Sequence, residues 1–334
     1  MHPTATPVGA SAAALLAALG TVLVGTSFTA GSLLADYPFL GGQAVRYGLA
    51  ALLLAVIAAG QGDGLPAALR RLNPRRLVRL ALLAATGMVG FNIAVLTAER
   101  TAEPAVPGVL VGCAPLVIAV LAPLSAGRRP SARLAGAGLL VAGGAAVVQG
   151  FGRTDGAGLL FSVLALAGEV AFALLAVDLL RVLGPVQLAA AACAVAAVQA
   201  SVLGAALDGA AVLRLPSAVE AAALAWYTLP VTVLAFCCWY TGVRRLGAER
   251  AGLFSGLIPV AAALTAPAAG TGSLGPVQLA GSALVAAGVL LGALTAGQEA
   301  GSRQTVVALT ARSSRSATTG TSCTDSASNR SRGR

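Results

Sequence analysis

The sequence predicts an all-α polytopic membrane protein whose ten transmembrane helices form a 5+5 inverted repeat. Three observations carry that prediction. The 334 residues are 57% hydrophobic and only 10% charged, with a mean hydropathy of +0.86, whereas soluble domains carry about 25% charged residues. Apolar stretches of about 20 residues, the length that spans a bilayer, recur along the chain. A motif in the first half returns in the second at a fixed displacement.

The elements follow in order. Residues 1–10 lack the basic n-region of a signal peptide, so they are expected to form a short cytoplasmic N-terminus ahead of a retained first helix. The spans lie at about 11–33, 39–60, 77–98, 105–125, 134–151, 157–179, 185–207, 220–243, 250–270 and 277–297. Pro38, Pro104, Pro130, Pro185, Pro216 and Pro276 mark boundaries or ends, where a missing N–H and a fixed φ punctuate a helix. This division gives a first five-helix repeat over 11–151 and a second over 152–297. Residues 298–334 are rich in Arg, Ser and Thr and are expected to form a disordered cytoplasmic tail.

The arginines set the expected orientation. All 22 basic residues are arginine. They cluster after the second span (Arg70, Arg71, Arg75, Arg76), after the fourth (Arg128, Arg129, Arg133) and after the eighth (Arg244, Arg245, Arg250), with Arg181 after the sixth. The opposite loops carry only Arg100, Arg153 and Arg214. Cytoplasmic loops are the ones enriched in Arg and Lys, so both termini are expected in the cytoplasm. The net charge of +10 follows from these patches and the tail. No aromatic-interleaved basic surface points to nucleic acid.

The repeat is read at a displacement of 144 positions. VGCAPLVIAVLAP (111–123) aligns with SGLIPVAAALTAP (255–267), pairing Pro115 with Pro259 and Pro123 with Pro267. Gly108 and Gly112 align with Gly252 and Gly256, so both copies contain GxxxG, a spacing that lets helices approach closely. Pro115 and Pro259 each remove a mid-span backbone hydrogen bond, which permits a kink or hinge. Five helices is an odd number, so tandem copies enter the membrane from opposite sides. Many secondary transporters are built that way.

Polar groups inside spans are costly and mark candidate sites. Arg46 and Gln43 lie in the second span, Glu169 in the sixth, Asn92 in the third, and Thr26 and Ser27 in the first. Arg46 is either a snorkelling anchor or an interior cation able to hold an anionic group, and Glu169 is a candidate proton carrier. Asp178, beside Arg181, reads as an interfacial residue. Trp226-Tyr227 and Trp239-Tyr240 in the eighth span suit the two aromatic belts, with substrate stacking as the alternative for Trp226 and Tyr227.

Ten helices as 5+5, GTSF at 25–28, an arginine-bearing second span (VRYGLAALLL, 45–54) and twin proline-centred fourth and ninth spans together resemble the drug/metabolite transporter superfamily, and within it the EamA-like family. The resemblance covers about residues 11–297. The chain departs from the usual pattern at Val24-Gly25, where members commonly carry Trp-Gly, and in its sixth span, usually aromatic-rich and here bearing Glu169. The resemblance implies export of small metabolites or drugs across the inner membrane, driven by a proton gradient or by exchange. Uptake or exchange of a sugar or nucleotide-sugar-like metabolite is the alternative it carries.

An integral membrane enzyme is disfavoured, because there is no HExxH, GxSxG or paired intramembrane acid and the only histidine is His2. No Walker motif is present. The five cysteines form no CxxC and have no neighbouring histidine, so neither a metal site nor a cofactor is expected. The expected partners are a small-molecule substrate and the lipid bilayer, with no nucleic acid. A homodimer is left open.

Overall fold

The computed structural model describes residues 7–293 except 35, 63, 104, 151, 213 and 271–273. Residues 1–6, the 298–334 tail and the boundary at Pro104 lie outside the described residues. Among the described residues there is no strand, only an isolated bridge between Ala102 and Thr154.

Among the described residues, nine helices are long and apolar enough to cross a membrane. They are α1 (Pro7–Gly31), α2 (Phe39–Gly60), α3 (Pro74–Ala98), α4 (Val106–Ser125), α5 (Ala132–Gln149), α6 (Gly156–Leu179), α7 (Pro185–Asp208), α8 (Ala218–Leu246) and α10 (Pro276–Ala293). The ninth expected span, 250–270, is not one continuous helix. A single turn (Ala248–Ala251) passes into a 3-10 segment (Gly252–Gly256), then α9 (Leu257–Thr265) and a second 3-10 turn (Ala266–Ala269). Pro259 has no N–H for the carbonyl of Ser255, and the glycines at 252 and 256 offer little helix propensity. The fourth span is interrupted at the matching place. It breaks at Cys113, and Pro115 opens the segment that follows.

A second irregularity pairs the two halves. In α3 the backbone is π-helical over Ala85–Gly90, and in α8 over Leu229–Leu234. The two segments are displaced by 144 positions, the same shift that relates Pro115 to Pro259. Spans α5 and α10 cross with the same correspondence. A Cβ on Gly144 would lie 2.8 Å from the carbonyl of Gly281, and one on Gly288 would lie 2.9 Å from the carbonyl of Ala137. A shift of 144 exchanges the members of these two contacts. Two of the GxxxG glycines lie at close contacts. A Cβ on Gly112 would meet Ala145 at 2.6 Å, and one on Gly256 would meet Val141 at 2.0 Å.

Helix α2 packs along α7, α1 lies between α8 and α9, and α3 lies against α6. Side-chain contacts sort the connections into two sets. At the arginine-rich end, Asp178 of α6 takes Arg76 at 3.2 Å and Arg79 at 2.6 Å from α3, and Arg128 meets Glu249 at 2.6 Å. Asp178 is therefore a helix–helix clamp rather than a companion of Arg181. At the other end Arg153 meets Glu103 at 3.1 Å, while Arg214 holds Glu220, donates to the carbonyl of Asp36 and lies over the ring of Tyr37. Asp155 caps the start of α6, and the N–H of Gly158 holds its carboxyl below the usual range.

Candidate functional site

Between the helices lies a cavity of about 590 Å³, a size suited to a small organic ligand. Its walls come from both halves: α1 to α4 on one side of the chain midpoint, and α6, α8 and α9 on the other. At the sparsely charged end it begins near Tyr37, Pro38 and Glu99. It runs inward to Gly87 and Glu169, near the middle of their helices, and to Trp239, two turns from the arginine-bearing end of α8. Three rings cluster at this depth. Phe172 lies 5.4 Å from Phe236 and 5.5 Å from Tyr240, and Tyr240 is fully buried.

Arg46 sits in this cavity, 6% exposed. It does not snorkel. Its Nε donates to Thr232 Oγ1 at 2.7 Å and Nη1 donates to Gln43 Oε1 at 3.3 Å. Its guanidinium lies over the rings of Tyr47 at 4.9 Å and Tyr227 at 4.7 Å. Among the described residues no carboxylate pairs with it. A charged arginine at mid-span costs about 2.5–3.5 kcal/mol on insertion scales. Hydrogen bonds to a charged group are worth about 1.5–3 kcal/mol each. Each cation–π contact adds about 0.5–2 kcal/mol. These four contacts are enough to hold the cation without an ion pair.

The π-helical segment explains how Thr232 reaches Arg46. Widening the helix there frees carbonyl groups, and Thr232 Oγ1 donates to the carbonyl of Tyr227, five residues back, at 2.7 Å. That bond fixes the hydroxyl so that its lone pair faces Nε. Two residues past the corresponding segment of α3, Asn92 Nδ2 donates to the carbonyl of Met88 at 2.6 Å and to Tyr47 at 3.3 Å. Each half of the chain thus contributes a hydrogen bond to the Arg46–Tyr47 pair.

Glu169 lines the cavity but has no hydrogen bond or ion pair among the described residues. The flanking Gly168 brings α6 against α3, since a Cβ there would meet the carbonyl of Thr86 at 2.6 Å. Bare backbone at 168 thus sets the depth at which Glu169 enters. Glu169 and Arg46 share the cavity without touching.

The remaining expected residues divide. Gln43, Asn92, Ser27 and Tyr227 line the cavity. Thr26 and Trp226 do not; the Trp226 indole donates to Thr26 Oγ1 at 3.1 Å and is 45% exposed, as an interfacial belt residue would be. Trp239 and Tyr240 are not belt residues, being 6% and 0% exposed. Gly108, Gly112, Pro115, Gly252, Gly256 and Pro259 pack around the site without lining it. Sequence reasoning missed Tyr47, Thr232, Trp239 and Glu99. Glu99, just past the end of α3, faces the mouth, where desolvation raises its carboxyl above the usual range. Its charge was visible in the sequence, but its direction was not.

Residues 11–149 match the EamA-like transporter family. A solved crystal structure, described only as that of a protein, superposes with a TM-score of 0.73 over 85% of this chain and 98% of its own, at 21% identity. That likeness shows a shared fold. No curated protein matches the sequence.

Proposed function

We infer that this protein, whose residues 11–149 match the EamA-like transporter family, is a secondary transporter that exports small organic metabolites or drugs across the cytoplasmic membrane. The observation that carries the reading is the cavity built from both halves of the chain, in which Arg46 and Glu169 share a mostly apolar space. A binding site between two repeats, reachable from one side at a time, is what alternating access requires. The architecture is ten spans as a 5+5 inverted repeat, with the interrupted 250–270 segment as the ninth. The paired π-helical turns, the paired helix breaks and the exchanged α5–α10 contacts support it.

In this reading both termini are cytoplasmic, and the cavity faces outward. Glu169 carries the coupling proton, because it is an acid inside the site with no partner to fix its charge. When the site faces the acidic side Glu169 takes a proton, and when the repeats rock it releases the proton on the other side. Cysteine labelling tests the orientation: residues near 73, 130 and 246 should react from the cytoplasm, and those near 102 and 154 from outside.

The function is tested by profiling metabolites in cells and medium with the protein deleted and overexpressed. An exported solute should rise outside on overexpression and accumulate inside on deletion. A solute moving the opposite way would establish uptake, and no change with the protein correctly inserted would overturn the transport reading.

A further inference from the structure

We propose that Arg46 and the widened turn bearing Thr232 form an oxyanion subsite, and that the substrate is a small organic monocarboxylate with an apolar body. The proposal rests on the transport reading of this cavity and adds the substrate class. An arginine has five N–H donors. Thr232 takes the one on Nε and Gln43 takes one on Nη1, which leaves three without a protein partner among the described residues. They belong to a guanidinium that lines the cavity and lies over the rings of Tyr47 and Tyr227. Two hydrogen bonds and two rings hold the fork in place. Its open edge has the geometry that a carboxylate or phosphate meets with two parallel hydrogen bonds.

The cavity floor supplies the rest of the chemistry. Trp239 lines it and is 6% exposed, with its indole nitrogen shielded from the open space. The cavity thus presents the open donors of Arg46 beside ring-lined walls that include Trp239, Phe91, Phe172 and Phe236. A ligand with an oxyanion and a flat or aliphatic body fills that arrangement.

The acids in the cavity choose between oxyanions. Glu99 and Glu169 set two carboxyl groups against the single guanidinium. The second charge of a dianion such as a phosphate ester would add repulsion from these acids that a monoanion avoids. The site therefore favours a carboxylate.

The test uses the full-length protein purified in detergent, with Trp226→Phe so that Trp239 is its only tryptophan. Cyclohexanecarboxylate is titrated while Trp239 fluorescence is recorded, with the isosteric cyclohexanecarboxamide and inorganic phosphate as comparisons. The carboxylate should give a saturable change, and the amide and phosphate should bind at least about tenfold more weakly. Thr232→Val preserves side-chain volume and should weaken the carboxylate by about tenfold, because the fork loses its anchor. Arg46→Lys should weaken it further, even if the variant folds less well, and the thermal midpoint of each variant separates the two effects. Equal binding of acid and amide, no response to the carboxylate, or tighter binding of phosphate would each overturn the proposal. The outcome is separable from the transport reading. Arg46-dependent binding without flux would break transport and keep the subsite, while flux of a neutral or cationic solute would do the reverse.

Discussion

Two ionisable side chains face one cavity, and they are held in opposite ways. Arg46 has four neighbours from α2 and α8: the Thr232 hydroxyl, the Gln43 amide and the faces of Tyr47 and Tyr227. Glu169, on α6, reaches the same space beside Gly168 and has no partner among the described residues. A group fixed on several sides keeps one charge and one position, which suits recognition. A group with no partner can change its protonation without breaking any contact, which suits coupling. The comparison assigns binding to Arg46 and energy transfer to Glu169, and each assignment can be broken separately.

The largest effect is expected from Glu169→Gln. It keeps the shape and removes titration, so pH-gradient-driven flux in everted vesicles should fall to background while protein level is maintained. Substrate binding, read by Trp239 fluorescence, should change by less than about threefold, because Glu169 touches nothing that holds the ligand. Normal flux with unchanged pH dependence would end its coupling role.

Arg46→Lys should reduce flux at subsaturating substrate by about a hundredfold. Lysine keeps the charge but cannot donate to Thr232 and Gln43 while covering two rings. If lysine supports flux within a few-fold of the parent, the fork geometry is irrelevant and Arg46 supplies charge alone. A smaller loss, about tenfold, is expected for Thr232→Val, and it should appear as weakened binding with the same maximal rate. A fall in maximal rate alone would instead place Thr232 in the conformational step.

The smallest effect concerns the scaffold around both groups. Gly256→Leu must displace Val141, which a Cβ would meet at 2.0 Å. Overpacking of this kind costs about 1–3 kcal/mol. The thermal midpoint in detergent should drop, whereas Gly136→Leu, with nothing within 4 Å of its Cβ, should leave it unchanged. Equal midpoints would show that the contact of Gly256 with Val141 of α5 does not hold the scaffold together.

Much of this protein was legible in the sequence, for a simple reason. A bilayer demands long apolar segments and taxes every charge within them, so composition fixed the class and the rare polar residues marked the cavity. Arg46, Gln43, Asn92 and Glu169 were found that way, and all four line it. The paired prolines at 115 and 259 were legible too, because a missing N–H interrupts a helix wherever it falls. Local chemistry was enough for these readings.

Only the tertiary structure decided the partners. Pro230 in LPVTVL announces an irregular turn but not its direction, and that turn aims Thr232 at Arg46 from 186 positions away. Trp239-Tyr240 and Trp226-Tyr227 have the same dipeptide pattern. The first pair is buried, and the second divides between the surface and the cavity. Periodicity places a residue on a helix, but which face meets another helix depends on how all the helices pack. The sequence alone determined that a charge sits in the membrane at Arg46. What holds it there, and that it shares a cavity with Glu169 without pairing to it, came from long-range packing between the two halves.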